Sequence, residues 1–224
     1  MLHTMVQCTP ILDVFRSRWR LPEKVCIVAP GPNGRGSYGR IPRDYLVLAV
    51  SKAVLIPEVH ASVWLMNHIH QGWYPEASRH FRGIRIYGHT AAQEAELEMR
   101  QRAELGEKIE CYSFTPPSEQ LAVNTVLSVD GFIRVGASVS GCAIQLAYNF
   151  GAKDLLLCGV DMSGDQYFDG TANVQVSHGD TWPAVLRLNP LIRWMVLERG
   201  LQIRTLTPTR LDAPLYEQST AALT

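Results

Sequence analysis

The chain has 224 residues, of which 46% are hydrophobic and 19% charged, and its mean hydropathy is −0.02. Its 21 Lys and Arg balance 21 Asp and Glu, which excludes the strongly basic footprint of a protein whose main partner is a nucleic acid. The aliphatic content excludes disorder, and the length predicts one domain over residues 1–224, with 1–22 as an N-terminal extension.

The five cysteines, Cys8, Cys26, Cys111, Cys142 and Cys158, form no CxxC pair. An odd and scattered set predicts free thiols, no disulfide framework and no cysteine zinc site, hence a reducing, cytoplasmic setting. The opening residues MLHTMVQCTPILDVF lack the basic start and apolar core of a secretory signal. No apolar stretch reaches the ~18–20 residues of a membrane span. A soluble protein is expected.

The first clear element is the uninterrupted apolar run 24–29, closed at once by Pro30-Gly31-Pro32-Asn33-Gly34-Arg35-Gly36-Ser37. Continuous rather than alternating apolarity marks a strand buried on both faces, as in a parallel sheet. Runs 45–50 and 61–66 repeat the signature, and 83–87 is a shorter version. Residues 91–109 are rich in Ala, Glu, Gln and Arg and predict a mostly solvated helix. Small and apolar residues nearly all round 138–150 predict a buried helix.

The strongest strand signal is 154–160. After it, 164–182 is rich in Gly, Asp, Asn and Gln, which predicts a mobile lid loop with too little apolar content to pack. Residues 183–199, ended by Gly200, carry a broad apolar face and predict a helix. A last strand, 201–206, stops at Thr207-Pro208. Strands alternating with helices predict an α/β fold, a mostly parallel sheet flanked by helices. In such folds the ligand crevice lies at the carboxyl ends of the strands.

Four segments at those ends carry candidate chemistry. Gly31, Pro32 and Asn33 open a glycine-rich loop that lets backbone approach a phosphate, with Arg35 placed to pair with one. The loop is neither G-x-G-x-x-G nor a Walker A sequence, and a plain surface turn has the same composition. Gly136, Ala137 and Ser138 begin the buried helix, where free N–H groups and the helix dipole favour an anion. An ordinary Ser138 cap is the alternative. Asp161 follows the strongest strand, where a carboxylate serves a ribose hydroxyl, a metal or a proton, or simply caps a turn. Asp165, Asp169 and Asp180 are further oxygen donors. His178, beside Gly179 and Asp180, suits general-base chemistry near neutral pH, against the alternative of a surface histidine. His68 and His70 line up as ligands only on a strand.

The order of these segments, with Val63-Trp64-Leu65-Met66-Asn67 between them, resembles one superfamily. It contains bacterial CMP-sialic-acid-dependent sialyltransferases, motility-accessory-factor glycosyltransferases and archaeal-type 6-hydroxymethylpterin diphosphokinases. The most specific stretch is Gly136-Ala137-Ser138-Val139 through Phe150-Gly151-Ala152-Lys153-Asp154 to Gly159-Val160-Asp161, similar to the family's helix followed by LGAKKIILxGVD. The resemblance implies a Rossmann-like, modified GT-A-type fold and a nucleotide-activated donor.

Together with the strand-end residues above, it gives a nucleotide and phosphate set of Gly31, Pro32, Asn33, Ser51, Asn67, Gly136, Ala137, Ser138 and Asp161. Just before that set Pro30 stands where the sialyltransferases carry the asparagine of an Asn-Gly-Pro loop, and Ser51 stands for a second asparagine. Asn67 matches the third, and Ala137-Ser138 falls near a Thr-Ser-Gly contact. Tyr167 matches one leaving-group tyrosine, while Ser163 replaces the other. His178 matches the general base and Thr181 a nearby threonine.

The implied chemistry is an inverting, metal-independent glycosyl transfer from a nucleotide sugar, with CMP as the likeness suggests, to a hydroxyl of a small molecule or glycan. No cofactor is expected, and self-association is compatible with this reading. Two alternatives stand beside it. One is a Mg²⁺-dependent pterin-type diphosphokinase using Asp161, Asp165 and Asp169. The other is a nucleotide-binding protein without catalysis on the same fold.

Overall fold

Eight strands form one sheet in which every pairing is parallel. They are β1 (Thr9–Pro10), β2 (Lys24–Val28), β3 (Leu46–Val50), β4 (Val63–Met66), β5 (Ile84–Gly88), β6 (Cys111–Phe114), β7 (Asp154–Cys158) and β8 (Gln202–Thr205), in the spatial order β1-β6-β5-β4-β3-β2-β7-β8. Three helices are delimited among the described residues: α1 (Tyr74–His80), α2 (Val139–Asn149) and α3 (Trp182–Arg199). The computed structural model describes residues 9–10, 22–66, 69, 72–88, 95, 98, 101, 111–114, 138–162, 166–172 and 182–216.

Both faces of the central strands are buried, as their unbroken apolar runs require. Val25, Ile27, Leu48, Val50, Leu65, Leu155 and Leu157 point to one face and pack under α2 and α3, against Cys142, Ile144, Leu188, Ile192 and Met195. Cys26, Val28, Ala49, Trp64, Met66, Leu156 and Cys158 point to the other. There they meet Tyr38, Tyr45, Ile56, Tyr74 and Phe81. Cys26, Cys142 and Cys158 are buried free thiols, consistent with the expectation for those three.

All six strands anticipated from apolar runs are present within two residues of their expected ends. The sheet adds β1 and β6, and the chain adds α1. Strand β6 is four residues of alternating Cys-Tyr-Ser-Phe, and α1 is seven residues with Pro75 at its second position. Neither produces a long apolar run or a periodic stripe. Of the helix expected over 91–109, residues 95, 98 and 101 are described and all three are helical. No helix among the described residues is long and apolar enough to cross a membrane.

The strand order places a topological switch between β2 and β7. The chain leaves β2 towards β3 on one side and leaves β7 towards β8 on the other. The loops therefore diverge at the carboxyl ends of this pair, the place where open α/β sheets hold their ligands. Helix α2 runs back antiparallel to the strand it precedes, so Ser138 at its start lies on this same edge.

Candidate active site

Strands β2 and β7 continue to pair beyond their ends. The Ala29 N–H donates to the Cys158 carbonyl at 2.9 Å, and the Gly31 N–H donates to Gly159 at 2.9 Å. The second rung requires a glycine: a Cβ on Gly31 would lie 2.3 Å from the Gly159 carbonyl oxygen and 2.5 Å from Asp161 Oδ2. Gly159 is its counterpart, with a positive φ of 67° and no room for a Cβ against the Ala29 carbonyl. Pro32 then opens a one-turn 3₁₀ helix. Its second residue, Asn33, donates its backbone N–H to Asp161 Oδ2 at 2.6 Å and its side-chain Nδ2 to the Pro208 carbonyl at 3.1 Å.

Asp161 is the most constrained carboxylate of this group. It is 3% exposed, and its Oδ1 is buried with no hydrogen-bond partner among the described residues. Burial pushes its carboxyl up to about 6, with the Asn33 N–H pulling the other way. The segment after β8 closes beneath it. Thr207 Oγ1 accepts from the Gly159 N–H at 3.0 Å, Thr209 Oγ1 donates to the Val160 carbonyl at 2.6 Å, and the Arg210 N–H donates to the Asp161 carbonyl at 3.1 Å.

Two non-glycine residues among those described adopt positive φ, Ser51 at 50° and Met162 at 52°. Ser51 follows β3 directly and Met162 stands four residues beyond β7, so both flank the switch point. Such strain persists only where surrounding structure imposes it, and it concentrates at functional sites. At Ser51 the imposing group is Trp64, whose Nε1–H donates to the Ser51 carbonyl at 2.8 Å. The position of the implied asparagine is thus a left-handed one, which asparagine tolerates better than most residues.

Residues 166–172 form a tight hairpin over this edge, closed by a Gln166–Ala172 bridge and by the Tyr167 N–H bond to the Thr171 carbonyl. The Phe168 N–H donates to the Pro30 carbonyl at 2.8 Å, and the Arg35 guanidinium donates to the Phe168 carbonyl. Tyr167 is 9% exposed, and burial followed by the charge of Asp169 raises its phenol. Within the expected loop, residues 166–172 are therefore packed against the β2 loop. Tyr167 and Phe168 supply apolar contact that the Gly, Asp and Asn content of the loop conceals.

The structure thus brings Gly31, Pro32, Asn33, Ser51, Asp161 and Tyr167 to the carboxyl ends of β2, β3 and β7. Ser138 caps α2 on the same edge, its Oγ accepting the Gly141 N–H at 3.0 Å, which is the ordinary capping role. Arg35 and Asp169 are engaged by the hairpin rather than set out as free phosphate or metal ligands. Asn67, Gly136, Ala137, Ser163, Asp165, His178, Asp180 and Thr181, with His68 and His70, lie outside the described residues. Sequence reasoning passed over Lys52, Trp64 and the 207–210 segment. The one available signal was the pair of hydroxyls, Thr207 and Thr209, just beyond a strand end.

A cavity of about 400 Å³ lies elsewhere, lined by Val196, Leu197, Leu201, Ile203 and Pro214 beside α3 and β8. None of the crevice residues lines it.

Several solved structures share this architecture. Cst-I, a monofunctional alpha-2,3-sialyltransferase of Campylobacter jejuni, aligns at 13% identity and a TM-score of 0.52, over 91% of this chain and 86% of that one. The fold is sialyltransferase-like. A variant of the sialyltransferase CstII in complex with CMP aligns at 10% identity and a TM-score of 0.51, over 87% of each chain. A second CstII variant, an alpha-2,3/8-sialyltransferase, aligns at 11% identity and a TM-score of 0.50, again over 87% of each chain. No family model and no curated protein matches the chain.

Proposed function

We propose that this protein is a sialyltransferase-like glycosyltransferase that moves a sugar from a CMP-activated donor to an acceptor hydroxyl. One observation carries the reading. Gly31, Asn33, Ser51, Asp161 and Tyr167, separated by up to 136 positions in the chain, converge at the switch point of a fold shared with a protein solved with CMP. A switch point of this kind suits a nucleotide, since diverging loops leave room for base and ribose while helix α2 aims its amino end at phosphate.

In this reading Asp161 and the 31–33 turn hold the nucleoside side. Ser51, Asn67 and the backbone N–H groups of Gly136, Ala137 and Ser138 hold the phosphate. His178 takes the proton of the acceptor hydroxyl as its oxygen attacks the anomeric carbon from the face opposite the nucleotide. The bond from that carbon to the CMP phosphate oxygen breaks, and CMP leaves with the electron pair. Tyr167 donates a hydrogen bond to the departing phosphate, supported by the α2 N–H groups. The transfer is inverting, because one displacement reverses the configuration, and protein donors take the place of a metal.

For the diphosphokinase alternative, Asp161 and Asp169 would have to serve Mg²⁺. The oxygens of Asp169 instead meet Lys52 and Thr171, and Asp161 Oδ2 meets Asn33. Calorimetric titration with CMP, UDP, GDP and ATP, each with and without Mg²⁺, tests the assignment. CMP binding without metal, together with release of CMP from CMP-sialic acid, is the expected result. ATP binding that requires Mg²⁺ overturns it in favour of phosphoryl transfer. CMP binding without any turnover leaves a nucleotide-binding protein. Replacing Gly136 with Val should weaken CMP binding and spare the fold, because a side chain there blocks close approach of phosphate to backbone.

A further inference from the structure

Lys52 follows Ser51 directly, at the carboxyl end of β3. The left-handed turn at Ser51, held by the Trp64 indole, sends the chain into a 3₁₀ turn and fixes where Lys52 starts. Its ammonium then reaches a single target, the 166–172 hairpin more than 110 residues away. Nζ lies 2.5 Å from Asp169 Oδ2, 2.9 Å from Thr171 Oγ1 and 5.4 Å from the centroid of the Tyr167 ring. The Lys52 side chain is 12% exposed and that of Asp169 is 32% exposed, so this pair is better shielded than an ordinary surface bridge worth ~0–1 kcal/mol. Although burial works against it, the bonds from Lys52 and Thr171 hold the Asp169 carboxyl down at about 2.

The hairpin transmits this anchoring to Tyr167. Its Asp169 Oδ1 accepts from both the backbone N–H and the hydroxyl of Thr171, and the Thr171 carbonyl accepts the Tyr167 N–H at 2.8 Å. Displacing Asp169 and Thr171 therefore displaces Tyr167. The opposite side of the hairpin is tied to the β2 loop through Phe168, Pro30 and Arg35. Among the described residues the hairpin is thus anchored at the ends of β2 and β3, and of these anchors the Lys52 one is ionic.

We infer that Lys52 is a positioning residue, clasping the hairpin through Asp169 and Thr171 so that Tyr167 is held at the crevice for the leaving phosphate. This rests on the CMP-donor reading above and names a residue that the reading did not assign. It also gives the acidic loop residue Asp169 a purpose other than metal binding.

The test measures CMP affinity by calorimetry and backbone amide exchange of residues 166–172 by mass spectrometry. Both are applied to the full-length protein, Lys52→Met, Lys52→Arg, Asp169→Asn and the reversed pair Lys52→Glu with Asp169→Lys. Loss of a charged hydrogen bond in a shielded site predicts exchange about tenfold faster in Lys52→Met and Asp169→Asn, with CMP affinity lower by roughly tenfold. Lys52→Arg and the reversed pair should stay within about threefold of the parent protein, because each keeps an ionic contact. Asp169→Asn breaks the clasp from its more exposed side, so it carries the test should Lys52→Met fold poorly. A looser hairpin with unchanged CMP affinity overturns the inference and leaves a structural ion pair. Unchanged exchange overturns it as well. If the parent protein binds no CMP, the donor reading itself falls and takes the inference with it, an outcome separable from the others because the variants are then irrelevant to the affinity.

Discussion

Gly31→Ala isolates the steric demand at the switch point. Its φ of −69° suits any residue, so the added methyl is the whole perturbation. That methyl would sit 2.3 Å from the Gly159 carbonyl oxygen and 2.7 Å from Asp161 Cγ. Ordinary contact begins near 3.4 Å, so the β2 and β7 loops must separate by about 1 Å, a shift set by that overlap. Two bonds cross this gap, Gly31 N–H to Gly159 and Asn33 N–H to Asp161. The first is worth about 1 kcal/mol and the second, to a carboxylate, about 1.5–3 kcal/mol. Alanine recovers about 0.4–1 kcal/mol by restricting the unfolded chain. The net expectation is a destabilisation of about 2–3 kcal/mol. Urea unfolding followed by tryptophan fluorescence measures it. CMP affinity should fall by at least about tenfold, because the displaced loop is the proposed nucleoside contact. Gly39→Ala is the control: the added Cβ meets nothing within 4 Å, and its stability should stay within about 0.5 kcal/mol. A Gly31→Ala protein as stable as the Gly39→Ala control, with parental CMP affinity, would refute the reasoning.

Asp161 should give a distinctive pH profile. Its folded-state value of about 6 lies above its ordinary 3.8, so the native state binds this proton more tightly and the associated stability, full below about 4, is lost as pH rises through about 6. Asp161→Asn should therefore gain about 1–3 kcal/mol relative to the parent between pH 4 and pH 7.5, the range allowing for partial solvent screening. Parallel urea-derived stability profiles at the two pH values would exclude the assignment. At Ser51, whose φ is 50°, Ser51→Val should cost about 1–2 kcal/mol while Ser51→Gly is neutral or gains up to about 1 kcal/mol. Equal stabilities would mean the turn is unstrained. His178→Ala should lower turnover of CMP-sialic acid with an accepted glycan by roughly 10²–10⁴-fold and leave the CMP dissociation constant unchanged. Retention of the parental rate removes His178 from the base role.

What could be read from residues alone follows from the range of the forces involved. Strands 24–28, 46–50 and 154–158 announce themselves because burial on both faces demands unbroken apolar runs. Their positions then locate the crevice, since each run ends in turn-forming residues such as Gly31 and Gly159. Strand β6 is invisible to the same criterion, being short and alternately polar. Lys52 is illegible for a different reason. Its significance comes from Asp169 and Thr171, 117 and 119 positions away, and no local pattern encodes such a partner. Asp169, a candidate Mg²⁺ oxygen under the diphosphokinase alternative alone, turns its oxygens to an ammonium and a threonine. The strain at Ser51 is likewise imposed by Trp64 and not by serine's own preferences.

The strand order has a consequence for how the chain is made. Lys24 pairs with Asp154 where β2 meets β7, at the topological switch of the sheet, about 130 residues later in synthesis. At ~5–20 residues per second a ribosome takes roughly 7–25 s to deliver β7 after β2. The helices that cover Val25, Ile27, Leu48, Val50 and Leu65 also come late, at 139–149 and 182–199. Through that interval the nascent amino-terminal half exposes an open strand edge beside a bare aliphatic face, the combination that favours aggregation. Translation pauses placed before residue 139 should therefore reduce soluble yield, and an isolated 1–137 fragment should partition with holdase chaperones rather than fold.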